Sequence, residues 1–335
     1  MISGTVRPNI VDGVIVSGSW DNVFYFSAAY MVLMFFWVWI TYENPSKADS
    51  KPLGKKLLEM VTDLRDVKLV ILLVIFVAFW AMFMQIFITL PNWIVEWTDT
   101  SAIASFFEGK FLVGRWISEG GVKPEYLINI DALAIILLAT TVGIIVAKMN
   151  ILRVITVGIL ICALSLAALF FTAELMSGSW GVWLMILLIF TFAIGEIMSS
   201  PKVTELMGRI APKNKIGVYQ GYGFLSVAGG MLLSGWMTSW YGIFADKTQW
   251  YKDELMNLGY LKADIEELSL QKLGQMLETG GVNLAEFDQL LWTQHDPWLM
   301  WILFGGIGVV AVVAMVIYNH FVPELSAADD SVAAE

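Results

Sequence analysis

Seven stretches of the chain stay apolar for long enough to cross a bilayer, and polar segments separate them. They cover residues 23–41, 69–95, 127–147, 151–172, 181–201, 216–244 and 298–319. About 20 apolar residues at ~1.5 Å rise match a hydrocarbon core of ~30 Å, so each run predicts a spanning helix. Between the first two, residues 42–68 are polar and basic. Leu53, Leu57, Met60 and Leu64 share one helical face there, which predicts a short amphipathic helix on the membrane surface. Pro91 is expected to kink the outer third of the second span and Pro201 to end the fifth, so both are candidate bend points for gating. Residues 245–297 return to soluble character and predict a helical insertion before the last span. Within it, Asn283 with Glu286 three residues on has the spacing of a capping box. His295-Asp296-Pro297 fits the turn into the final helix. The fold class this pattern predicts is an all-α polytopic membrane protein with seven transmembrane spans.

Composition agrees. The 335 residues are 58% hydrophobic, well above the 45–50% usual for soluble domains, and include 15 tryptophans, a residue that concentrates at membrane interfaces. A single cysteine, Cys162, forms no intrachain disulfide. His295 and His320 lack metal-ligand spacing, so no metal and no cofactor is expected. The net charge of −10 sits largely in 245–296 and the C-terminal tail, and the expected partners are lipid and a small solute, not nucleic acid. Residues 1–22 have no basic segment ahead of an apolar core and do not read as a signal peptide.

Lysine and arginine in the short loops set an orientation. Lys47, Lys51, Lys55, Lys56, Arg65 and Lys68 fall on one side, with Lys148, Arg153, Lys202, Arg209, Lys213 and Lys215. Arg7, Lys110, Arg115 and Lys123 fall on the other. The basic side is expected to be cytoplasmic. That leaves 1–22 and 245–297 external, the tail 323–335 cytoplasmic, and the whole an integral protein of a bacterial inner membrane.

Ionisable groups inside apolar runs are the candidate chemistry. A carboxylate in a span costs about 2.5–3.5 kcal/mol on insertion scales, so Glu196 is the first candidate: it can bind a cation or carry a proton along a water-lined path, unless it reaches the cytoplasmic edge or pairs with Lys202. Gln85, mid-span, either contacts solute or bonds a neighbouring helix. Trp80, about one turn earlier, walls a cavity or packs. Asp131, with Asn129, caps its helix or makes a gate contact. Glu205 and Arg209, four apart, form a surface pair or a gate. Glu96 and Asp99 are expected to be solvated at the outer interface. Gly217, Gly221, Gly230 and Gly235 are expected to permit close helix packing.

Seven spans invite a retinal protein, but the last span, 298–319, holds no lysine for a Schiff base. The arithmetic of one plus six fits better, because transporter halves of six helices are built from inverted three-helix repeats. Residues G-E-I-M-S-S-P at 195–201 resemble the Gly-Glu-x-x-x-Ser-Pro signature on helix ten of the proton-dependent oligopeptide transporters, within the major facilitator superfamily. Ala211-Pro212-Lys213, Gly217, Gly221, Leu225, Gly230 and Gly235 keep that family's spacing into helix eleven. F-W-A-M-F-M-Q at 79–85 is similar to its helix seven, with Phe79, Trp80 and Gln85 matching and Met84 where the family often has an acid. The resemblance covers roughly 23–244. It implies that 23–41 is helix six, that 69–244 are helices seven to eleven and 298–322 the last, and that the N-terminal half is missing, with its acidic and arginine motif. It further implies proton-coupled uptake of small peptides or amino-acid-like solutes by alternating access, with Glu196 at the peptide amino end and no enzymatic activity. The competing expectation is a membrane sensor or accessory scaffold that keeps half a transporter fold.

Overall fold

A computed structural model describes residues 9–11, 14–17, 20–42, 54, 61–107, 117–118 and 121–322. The expected surface helix around 53–64 lies largely outside them, as does the tail 323–335. The chain divides into two units, Met1–Glu59 and Met60–Glu335. The first contains a short antiparallel hairpin, β1 (Asn9–Val11) and β2 (Val14–Ser17), and then α1 (Trp20–Thr41). Every residue from 24 to 42 is exposed although most are apolar, and a helix that is apolar all round suits a lipid environment.

The second unit begins with α2 (Val67–Phe83), α3 (Gln85–Ile88), α4 (Leu90–Trp97) and α5 (Ser101–Phe107). A two-stranded ribbon, β3 (Ile117–Ser118) and β4 (Gly121–Val122), precedes α6 (Pro124–Ile128) and α7 (Ile130–Val146). Then come α8 (Ile151–Ala167), α9 (Glu174–Ser177), α10 (Gly181–Ile210) and α11 (Ile216–Phe244). Four polar helices follow, α12 (Lys247–Asn257), α13 (Lys262–Ile265), α14 (Leu270–Thr279) and α15 (Leu284–His295), and α16 (Pro297–Phe321) closes the order. Counting pieces that continue one another as a single span, seven helices among the described residues are long and apolar enough to cross a membrane. The expected all-α polytopic fold is therefore present.

Packing in the second unit makes a ring. α8 lies between α10 and α16, α16 touches α2, α2 packs along α11, and α11 returns to α10. α7 stands outside the ring and packs on α10, with most of its own surface exposed. α8 and α10 meet at paired glycines. A Cβ on Gly158 of α8 would sit 2.7 Å from the Gly195 carbonyl of α10, and one on Gly195 would sit 2.7 Å from the Gly158 carbonyl. Only glycine lets the two backbones meet.

Sequence expectations need four corrections here. α10 does not stop near Pro201 but runs through it to Ile210. Pro201 removes one N–H, so the Ile197 carbonyl loses its helical donor, yet the remaining turns continue. The second span breaks at Met84 and again at Thr89, and Pro91 falls in the first turn of α4, so the proline follows a joint instead of making one. A Cβ added at Gly217, Gly221 or Gly235 would meet no atom within 4 Å, whereas one at Gly230 would lie 2.3 Å from Trp80 Cβ; of the four, Gly230 is the packing glycine. Asn283 does occupy the N-cap of α15, but its side chain makes no capping bond. Asp296 takes the left-handed conformation, φ 49°, at the entry to α16 and accepts a bond from Trp298 Nε1 at 3.0 Å, as the turn before Pro297 requires.

Candidate functional site

Asp131 and Glu196 meet where α7 leans on α10. Asp131 is in the first turn of α7, just after the helix is interrupted at Asn129, and is 4% exposed. Glu196 follows Gly195, whose contact with Gly158 holds that turn of α10 hard against α8. Ser199 donates to the Gly195 carbonyl at 2.7 Å and is itself buried, which steadies the same turn. The carboxyl groups of Asp131 and Glu196 lie close enough to act on one another electrostatically. Asp131 Oδ1 and Glu196 Oε2 are each buried with no hydrogen-bond partner. An ionised carboxylate only accepts, so two of them bond to one another only when a proton sits between them. Cys162 is close by; its thiol donates to the Phe192 carbonyl at 3.5 Å.

Lys202 does not reach this pair. It binds Glu205 at 2.7 Å, and Arg209 binds Glu205 from the other side, so the expected two-residue pair is a three-residue bridge. Glu196 was expected on a water-lined path, but the main cavity among the described residues, about 710 Å³, lies elsewhere and does not include it.

The structure does not bring Gln85 or Trp80 to the carboxyl pair through any hydrogen bond. Gln85 is fully buried; its Nε2 donates to Ser234 Oγ at 2.9 Å and to the Ala81 carbonyl at 3.2 Å, and its Oε1 accepts from Thr89 Oγ1 at 2.6 Å. In this conformation it clamps the joint of the second span onto α11. Trp80 sits over Gly230, with its ring 5.1 Å from Phe79 and 5.2 Å from Phe83, and its buried Nε1 has no partner.

One site was missed. Glu96 was expected to be solvated but is built into a three-element junction. It accepts from Tyr241 Oη of α11 at 2.7 Å, from Thr248 Oγ1 of α12 at 2.6 Å and from the Lys247 backbone N–H at 2.9 Å. Burial pushes its carboxyl up to about 7, against these hydrogen bonds, which pull it down, and with added repulsion from Asp246. Beside it Lys247 binds Asp288 at 2.6 Å, Tyr251 Oη also donates to Asp288 at 2.6 Å, and Trp97 Nε1 donates to the Ala245 carbonyl at 2.8 Å. Trp97 also packs edge-on against Trp250 and Trp292 of the polar helices. No sequence signal joins residues 145 and 152 positions apart.

Among the described residues no group of three or more His, Cys, Asp or Glu could hold a metal ion.

Comparison with known proteins adds three findings. No curated protein matches the chain. A solved structure described as a POT family transporter in complex with 5-aminolevulinic acid is similar to it, at 15% sequence identity and a TM-score of 0.49, covering 92% of this chain and 54% of that one. The chain thus spans about half the length of the solved structure it matches. A family described as Major Facilitator Superfamily matches residues 9–235. That match covers more than half of a chain with seven membrane-length helices, and the chain belongs to the major facilitator superfamily.

Proposed function

We propose that these helices form the C-terminal six-helix half, with one preceding helix, of a proton-coupled secondary transporter for small peptides or amino-acid-like solutes. The observation that supports this reading is the Asp131–Glu196 pair, two buried carboxyl groups brought near one another where two membrane helices pack. With one shared proton the pair holds a single negative charge and is self-satisfied. A solute ammonium beside Glu196 supplies the donors the proton supplied, so proton and amine compete for the same oxygens. That exchange links proton movement to solute movement.

Alternating access needs a second bundle against which this one rocks, on the same polypeptide or another. Asp131 acts as gate and proton partner, and Glu205 with Arg209 and Lys202 as the bridge at the basic end of α10. Gln85 and Trp80 reach solute only after α2 and α11 separate. In this orientation the basic loops face the cytoplasm of a bacterial inner membrane, and 245–297 lies outside.

The test is uptake of a labelled dipeptide into vesicles from cells overexpressing the natural gene product, with and without an imposed proton gradient. Gradient-driven accumulation in wild type and its loss in Glu196→Gln and Asp131→Asn are expected. Accumulation that ignores the gradient, or that survives both substitutions, refutes the coupling role.

A further inference from the structure

The cavity of about 710 Å³ opens beneath the polar helices, bounded by the ends of α4 and α6, the start of α9, and α12 and α14. Its size falls in the ~300–1,000 Å³ range of small-molecule sites. Three carboxylates line it: Asp99, Glu174 and Glu278, with one cation, Lys123. Among the described residues none of these four makes an ion pair. Asp99 accepts the Ser101 N–H at 2.8 Å, and it lies close enough to Glu174 to act on it electrostatically. The nearby Lys247 is paired with Asp288, and the two act on Glu174 in opposite senses.

Two further features narrow the ligand. The carboxylates do not converge on one point, so they are not arranged as a metal chelate. Ile94, Val122 and Leu270 form apolar wall, and the Tyr251 ring faces the same space. Thr98 borders the cavity, is 9% exposed, and has a hydroxyl with no hydrogen-bond partner. A wall of one charge sign around low-dielectric surface concentrates counter-charged solutes.

We propose that this cavity is a binding vestibule for a small organic cation, a primary ammonium on an apolar body, distinct from the Asp131–Glu196 pair. The ammonium lies among Asp99, Glu174 and Glu278 and the apolar body rests on Tyr251 and the aliphatic wall. The assignment does not depend on the transport reading, since binding is measured without turnover.

The experiment is calorimetric titration of the purified full chain in detergent with 2-(aminomethyl)naphthalene and with its neutral alcohol analogue. The amine is expected to bind more tightly than the alcohol, more weakly in high salt, and roughly tenfold more weakly to Glu174→Gln/Glu278→Gln, whose changes are both on exposed side chains. Equal affinity for amine and alcohol overturns the proposal, as does unchanged binding in the double variant. Loss of binding in Glu196→Gln alone moves the site to the carboxyl pair, and tighter binding of Ca²⁺ than of the amine replaces the organic cation with a metal.

Discussion

Glu96 ties the tip of α4 to both α11 and α12, so its protonation state should set how firmly the polar helices are held. Its carboxyl is raised from 4.5 to about 7. The folded value lies above the unfolded one, so between the two the folded state keeps a proton that the opened state releases. Stability of the junction is fully present below about 4.5 and is lost as pH rises through about 7. Integrated between about pH 5.5 and about pH 8.5, that difference is roughly 30-fold in the opening equilibrium, or ~2 kcal/mol. The groups facing Glu96 are Tyr241, Thr248, the Lys247 N–H and Asp246, and Glu96→Gln keeps an acceptor for them while removing the titration. Hydrogen exchange of the peptides covering 90–97 and 246–257, corrected for intrinsic rate, is the assay. Wild type should open more at the higher pH by about that factor, and Glu96→Gln should show a flat profile. A wild-type profile that is flat, or that falls with pH, refutes the argument that burial outweighs the three hydrogen bonds.

Other outcomes follow from the same geometry. Gly158→Ala should lower thermal stability in detergent by about 1–3 kcal/mol, because its methyl meets the Gly195 backbone, whereas Gly217→Ala should change it by less than about 0.5 kcal/mol. Gln85→Leu strands Ser234 and Thr89 and should cost about 1 kcal/mol, measured by unfolding. Lys247→Met leaves the half-buried Asp288 without its cation and should loosen α12 by about 1–2 kcal/mol, read as faster exchange of its amides. Difference infrared spectra of wild type against Asp131→Asn should show the loss of a protonated-carboxyl stretch near neutral pH.

The spans were legible in the sequence because burial in hydrocarbon demands length and apolarity, and both are local properties. The sixth span, 216–244, is found at those bounds. Pro201 misled because a proline removes one bond, while the residues after it through Ile210 still favour helix. Glu196 stood out as an acid in an apolar run, and Asp131 did too, but nothing in their spacing joined them. Their contact depends on how α7 leans on α10, which Gly195 and Gly158 help to fix from the opposite side. Glu96 looked like an interfacial acid because its donors, Tyr241 and Thr248, come from helices far along the chain. The glycines failed for a related reason. Spacing puts small residues on one face of a helix but does not say whether another helix covers that face.

The three-piece second span joins these observations mechanically. Its tip, Leu90–Trp97, is fastened to the polar helices by Glu96 and Trp97, while Val67–Phe83 is wedged against Gly230 in the bundle. Between them the helix loses regularity at Met84 and Thr89, although both residues keep helical backbone bonds. A pull on the polar helices would therefore be felt first at Leu90–Trp97 and would reach the Gly230 contact only along the helix between them.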